Sequence, residues 1–349
     1  MCPCPTREAK KKRGTRTPGK PFPLAAKMSV NGNNGENRIG NGRISGMKIG
    51  IVGAGGVGLY YGAMLQRGGH DVRFLLRRDY DAIMASGLTV RSYSGDFHLD
   101  HVRGYRSAAE IGPVDLALVA IKTFDNDKLI DLVKPLMASN SVALTLQNGL
   151  GNEEILVQAF GERRVMGGVA MIGSTRGQPG TVDHKALGSI RIGEFSGGLS
   201  PRAVELSALF GEAGITCEAI ADLRRVRWEK LIWNIPFNGL CTLLNAAPGG
   251  YLTKPEMNGL VRALMAEVIT GANAQELSAP IPDICIEENI QVTLASLTGY
   301  RPSMMIDRLE GRRLELDAIY RIPLEHAARK GIHMVRVGML HALLAAKEK

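Results

Sequence analysis

The chain has 349 residues, 45% of them apolar, with five scattered cysteines and a formal net charge of +9. That length supports large cores in one to three domains, and no apolar run approaches the 18 or so residues that a membrane-spanning helix needs. The charge excludes polyanionic partners more than it invites them. Ten Lys and Arg against only Glu8 and Glu36 stand ahead of Met47, so the chain from Met47 onward is close to neutral and no nucleic acid or membrane partner is expected of it.

Residues 1–46 are rich in Pro, Lys and Arg and then run into an Asn/Gly tract from Asn31 to Gly42. Too few apolar side chains are present to offset ordering entropy, so a disordered basic extension is expected, with Met47 as the start of the working protein. A basic arm for nucleic acid or membrane is the competing reading. The segment lacks the apolar h-region of a secretory signal, and the odd, dispersed cysteines fit a reducing compartment, so a cytoplasmic location is expected. No HExxH or paired CxxC is present, and no metal site is expected.

The first strand is Lys48 to Val52, and it runs into Gly53-Ala54-Gly55-Gly56-Val57-Gly58. In this pattern Gly53 permits the tight turn off the strand, Gly55 lets the backbone approach a pyrophosphate, and Gly58 lets a new helix pack closely on the sheet. The pyrophosphate would lie on free N–H groups at the helix N-terminus. A helix over Val57 to Gln66 and a second strand over Asp71 to Leu76 follow at βαβ spacing, which distinguishes a dinucleotide site from a chance glycine loop. At the end of that second strand an NAD site places an acid for the ribose 2′-OH. Here the strand ends Leu75-Leu76-Arg77-Arg78, so a cation stands where a 2′-phosphate would need one, and NADPH is the expected cofactor. The alternative is a solvated charge pair, with Asp79 close by.

Gly87 to Leu99 alternates around Ser94-Gly95-Asp96 like a hairpin. Asp115 to Ile121 and Ser141 to Leu146 read as buried strands, with a helix from about Asn126 to Met137 between them. Val165 to Phe195 adds strands around a Gly-rich turn at Gly177 to Gly180. Helical periodicity appears over Arg202 to Phe210 and dominates from Asp222 onward. The fold class is therefore α/β, an N-terminal Rossmann-type doubly wound sheet (47–218) followed by an all-helical C-terminal domain (219–349). The cleft between the two is the expected site.

Three groups of polar residues fall where such a cleft would use them. Lys122 and Gln147-Asn148-Gly149 end two buried strands, the place where open α/β sheets hold ligands, although Asn-Gly also serves as an ordinary turn pair. Lys230, Asn234 and Asn238 are spaced i, i+4, i+8 along one face of an otherwise apolar helix, which Pro236 should kink. A lysine and two amides are costly to bury there without partners, unless that face is a solvent stripe. Ser303, Asp307, Gly311 and Glu315 share the same four-residue register and form a candidate polar seam, unremarkable if it is only a charged helix face.

GAGGVG at 53–58, AIKTF around Lys122, LQNGLG around Asn148, KLIWNIPFN from Lys230 and PSMMIDRLEGRRLELD from Pro302 together resemble the ketopantoate reductase family, over Met47 to about Ala346. The resemblance implies a two-domain NADPH enzyme that reduces 2-dehydropantoate, or a related 2-oxo acid, to (R)-pantoate on the route to pantothenate and coenzyme A. It makes Lys230 the general acid and Glu315 the carboxylate that orients it. It assigns Asn234, Asn238 and Ser303 to the substrate, and Asn148 to substrate and cofactor alike. Arg77, Lys122 and Glu315 join the glycine loop as cofactor contacts, Arg77 facing the 2′-phosphate. The family often carries another asparagine ten residues after the one matched by Asn238. Here that position is Pro248, with Asn245 as the nearest substitute. A homodimer stays open. So do two other readings: a β-hydroxyacid or glycerol-3-phosphate type dehydrogenase of similar architecture, and a non-catalytic NADPH-binding sensor.

Overall fold

The computed structural model describes residues 46–348; the extension expected over 1–46 lies outside them except for Gly46. In chain order, the first half comprises β1 (Lys48–Val52), α1 (Gly56–Arg67), β2 (Asp71–Leu75), α2 (Tyr80–Ser86), β3 (Leu88–Ser92), β4 (Phe97–Leu99), β5 (Arg103–Tyr105), α3 (Ala108–Ile111), β6 (Val114–Val119), α4 (Leu129–Val133), β7 (Met137–Thr145) and α5 (Asn152–Phe160). There follow β8 (Val165–Arg176), β9 (Thr181–Glu194), α6 (Pro201–Glu212) and β10 (Cys217–Ala219). Helices then take over: α7 (Leu223–Leu244), α8 (Pro255–Asn273), α9 (Ile284–Ser296), α10 (Ser303–Leu309), α11 (Ile322–Arg329) and α12 (Val335–Ala345).

The ten strands of the described residues join one sheet, in the order β4-β3-β9-β8-β7-β6-β1-β2-β5, with β10 on β9. The stretch from β8 through β7, β6, β1 and β2 to β5 is parallel. Helices cover both faces of it, which is why its strands read as nearly continuous apolar runs. Alternation sends Ile49, Ile51, Leu116 and Leu118 into a core shared with Leu59 and Leu65 of α1 and Phe210 of α6. Val52, Ala117 and Val119 point the other way, onto Ile111, Leu129, Val133 and Leu156. Beyond β8 the sheet stops being doubly wound. The long β8/β9 hairpin is antiparallel, and the β3/β4 hairpin foreseen around Gly95 docks on its far side.

Two expected elements differ. The helix expected over Asn126 to Met137 is broken into a 3₁₀ segment (Thr123–Lys128), the short α4 and a second 3₁₀ turn (Lys134–Leu136), and Met137 already belongs to β7. Pro135 has no N–H to continue the helical ladder and crowds the preceding turn, so the helix ends where the apolar pattern alone would have carried it on. The seam from Ser303 to Glu315 is not helical throughout. Helix α10 stops at Leu309, and Gly311 at φ +69° turns the chain, so Asp307 and Glu315 meet through a reversal rather than along one face.

In the helical part α7 is the central rod. Its Trp228, Ile235 and Phe237 are fully buried among Val261 and Leu264 of α8, Met304 and Met305 of α10, and Leu340 of α12. The kink expected at Pro236 does not interrupt α7, which continues from Leu223 to Leu244, and Tyr320 Oη donates to the carbonyl of Ile235 just before the proline (2.9 Å).

Candidate active site

The glycine loop behaves as its spacing requires. Gly53 has φ +108°, and a Cβ there would run into the backbone of Ala120 and Ile121 where β6 ends. A Cβ on Gly58 would strike the carbonyl of Gly53, whereas one on Gly55 would meet nothing within 4 Å. That opening lies directly before α1, whose first turn carries no acid and whose N–H groups have no side-chain cap. A cradle of free amides with open space at its second glycine fits a pyrophosphate.

At the end of β2 the side chain of Arg77 is 77% exposed, with Asp125 at 3.8 Å as its nearest counter-charge. Asp79 is not available to a ribose hydroxyl. It is buried, and its Oδ1 accepts from Arg176 at 2.7 Å.

The ends of β6 and β7 face α7 and the α10 turn. Lys122 Nζ donates to Asp307 Oδ2 (2.7 Å) and Glu315 Oε2 (3.2 Å), and the Thr123 N–H donates to Glu315 Oε1 (3.1 Å). Burial acts to lower the Lys122 pKa, but the two carboxylates outweigh it and the ammonium titrates above its usual value. Burial would likewise raise Glu315, yet Lys122 and the N–H donors hold it below the usual carboxylate range. Both groups are therefore charged near neutrality.

Lys230 sits at the inner wall. Its Nζ donates to Asn148 Oδ1 (2.7 Å) and to the carbonyl of Ala170 on β8 (2.8 Å). Burial, followed by the cations of Arg227 and Arg191 and against the pull of Glu315, pushes its pKa down to about 7. Glu315 does not touch Lys230. Asn148 stands between them, its amide donating to Glu315 Oε2 at 3.4 Å while its oxygen accepts from the lysine, so the direct contact expected between Glu315 and Lys230 is replaced by one through Asn148. Asn234 and Asn238 lie one and two turns along α7, 6% and 2% exposed, and among the described residues their amides make no side-chain hydrogen bond. Polar groups buried so deeply call for partners, and a ligand in the cleft would supply them. Ser303 opens α10 with its hydroxyl equally unengaged among the described residues. Asn245 does not replace the missing asparagine at Pro248: it is exposed and closes α7 in a left-handed conformation (φ 50°).

Two contributors were not legible as site residues. Asp307 stood out only as one position of a seam. Arg227 was passed over altogether, although an arginine in an apolar helix face is as costly to bury as the lysine three positions on.

A glycine cradle after β1 and a buried lysine hydrogen-bonded to Asn148 and Ala170 stand together in a chain whose relatives make it an NADP-dependent oxidoreductase acting on CH–OH groups. The relatives narrow the class. The model of the ketopantoate reductase PanE/ApbA family matches residues 49–197, and that of its C-terminal part matches 222–348. A 2-dehydropantoate 2-reductase from Nostoc sp. is 38% identical over 299 residues, covering 84% of this chain and 93% of the relative. The solved structure of 2-dehydropantoate 2-reductase from Geobacter metallireducens is 53% identical, with a TM-score of 0.85, covering 86% of this chain and all of that one. A D-mandelate dehydrogenase solved with NADH and anilino(oxo)acetate shares the fold at 23% identity (TM-score 0.79, covering 86% of this chain and 98% of that one). The chain belongs to the ketopantoate reductase family.

Proposed function

We propose that this protein reduces 2-dehydropantoate to pantoate with NADPH as hydride donor, and that Lys230 is its general acid. The observation that carries the reading is Lys230 Nζ itself: buried, held by Asn148 and Ala170, and at the head of a helix face whose next two polar positions are unengaged amides. The cofactor, when bound, supplies the hydride to the carbonyl carbon of the 2-oxo acid. The chain's own groups manage the charge that develops on the ketone oxygen. A lysine ammonium in a water-poor cleft stabilises that charge and transfers its proton to the oxygen, becoming the neutral amine that its lowered pKa tolerates. Solvent then restores the proton. Asn148 fixes the direction of Nζ, Glu315 fixes Asn148, and Asn234, Asn238 and Ser303 are left to bind the substrate's polar groups. Arg77, exposed and among the described residues matched only to Asp125, is the partner for a 2′-phosphate, and the withdrawal of Asp79 onto Arg176 removes the nearby carboxylate that would favour NAD.

The test is a steady-state screen of 2-oxo acids, 2-dehydropantoate included, with NADPH and NADH in parallel. The reading expects the highest kcat/KM for 2-dehydropantoate with NADPH. Faster turnover of an aromatic or unbranched 2-oxo acid would reassign the substrate.

A further inference from the structure

Arg227 is the most deeply buried arginine or lysine among the described residues. Its guanidinium lies 4% exposed between α7 and the end of β7, where Nε donates to Glu153 Oε1 (2.9 Å), Nη1 to the carbonyl of Gln147 (2.6 Å) and Nη2 to the carbonyl of Thr145 (3.3 Å), with a second Nη2 bond to Glu153. The first of these, on Gln147, immediately precedes Asn148, and the other, on Thr145, lies three residues before it. On its other side Asn148 is held by its own carbonyl, which accepts from Asn152 Nδ2 (2.9 Å), and Asn152 is bonded through Asn126 to Gln147. The residue that meets Lys230 is thus fixed through the carbonyls on both sides of it, and the fork that grips one side comes from the same helix as Lys230, three positions earlier.

We propose that Arg227, paired with Glu153, is a positioning residue for the reaction: it sets the distance from Asn148 to Lys230 and supplies a fixed cation one helical turn from the lysine that keeps its proton easily transferred.

A purely structural ion pair would need no carbonyl contacts at the ligand end of a strand, and buried ion pairs are in any case weak stabilisers relative to apolar packing. The fork geometry matters, since arginine can reach two carbonyls and a carboxylate at once where lysine cannot. Lys230 feels the cations Arg227 and Arg191 against the carboxylate Glu315; Arg191 is itself bonded to Glu229 (2.8 Å) and Glu315 to Lys122 (3.2 Å). Of the two cations, Arg227 has the stronger effect on Lys230, and it is the one attached to the same turn of helix.

The inference rests on Lys230 as the acid, so Lys230→Ala is the control. If that variant keeps its turnover, the assignment of Lys230 fails; if it is inactive, the Arg227 variants are judged on their own. The basic limb of the kcat/KM profile, where Lys230 loses its proton, is the readout that folding alone would not move. In Arg227→Gln/Glu153→Gln, which removes both charges together, the limb should move up by about one pH unit and kcat should fall about tenfold, with the NADPH Kd within about twofold. Arg227→Lys keeps the charge without the fork, so kcat should fall while the limb stays in place. Glu153→Gln alone leaves the guanidinium uncompensated and should move the limb down; it serves as the test if the double variant fails to fold. Unmoved limbs in Glu153→Gln and in the double variant, with kcat lost only in proportion to folded protein, would overturn the proposal.

Discussion

The glycine loop and the lysine cleft are built on opposite terms. The loop works by absence. Six consecutive residues leave out side chains at Gly53 and Gly58, where backbone lies in the way, and at Gly55, where space is left open. The cleft works by convergence, through side chains 82 positions apart for Lys230 and Asn148 and 193 apart for Lys122 and Glu315. A site made of absences is local and tolerates change in the rest of the chain. One made of convergence depends on every element that carries a member, and its chemistry is set by neighbours the local sequence does not name.

The largest test of this contrast is Lys230→Ala. If the cleft carries the chemistry and the loop only the binding, kcat should fall by about 10²–10⁴-fold while the NADPH Kd, measured by fluorescence titration, stays within a few-fold. In the wild type a lysine with a pKa of about 7 is protonated below that pH and neutral above it. The protonated form is the acid, so kcat/KM should decline as pH rises through about 7 to 8, and a profile flat to pH 10 would remove the lysine from proton transfer. Next comes Arg77→Ala. It should weaken NADPH about 10- to 100-fold and leave NADH nearly unchanged, in line with a lost charge-assisted phosphate contact. Equal losses for the two cofactors would place Arg77 outside the 2′-phosphate site.

How much of each region was legible follows from the same difference. Gly53, Gly55 and Gly58 could be read with their roles attached, because their spacing after a strand that ends where its apolar run ends marks the turn, although the backbone that Gly53 clears belongs to the distant Ala120 and Ile121. Lys230, Asn234 and Asn238 were legible as an anomaly, polar groups on an apolar helix. Nothing local says that Asn148 intervenes between Lys230 and Glu315, since that depends on the φ +69° turn at Gly311 bringing residues 307 and 315 back onto β6. The strands of the β8/β9 arm and the Gly-rich turn between them were legible, but their antiparallel pairing was not, since periodicity does not name a strand's partner; the helix between β6 and β7 ends early at Pro135, and its break near Lys128 goes with the non-helical backbone of Asp125. Arg227 was invisible because arginine on a helix is ordinarily a surface residue, and only its four hydrogen bonds to three buried acceptors show otherwise.

A smaller effect separates absence from packing within the loop. Gly55→Ala adds a methyl group where nothing lies within 4 Å, and the residue's φ of −88° is open to any side chain. Thermal stability should therefore hold, whereas NADPH affinity should drop by about tenfold because the methyl occupies the approach of the pyrophosphate. A variant that binds NADPH as tightly as wild type would mean that the space at Gly55 is not where the phosphates lie.

The smallest expected effect concerns Asp307, the carboxylate that Lys122 shares with Arg312. Its carboxylate is almost wholly buried and accepts from Lys122 at 2.7 Å and from Arg312 Nε at 2.8 Å. Asp307→Asn can keep one of these hydrogen bonds through its amide oxygen but loses the negative charge, and Lys122 still has Glu315. The change should lower the Lys122 pKa, since one of the two carboxylates that raise it is gone, and reduce kcat/KM by about fivefold, equivalent to about 1 kcal/mol. Because the α10 turn closes onto β6 through this pair, the loss should appear mainly in the KM for NADPH. If kcat instead fell as far as it does in Lys230→Ala, the convergence at the cleft would have to include Asp307 in the proton path, and the separation drawn here between a lysine that reacts and a lysine that is held would no longer stand.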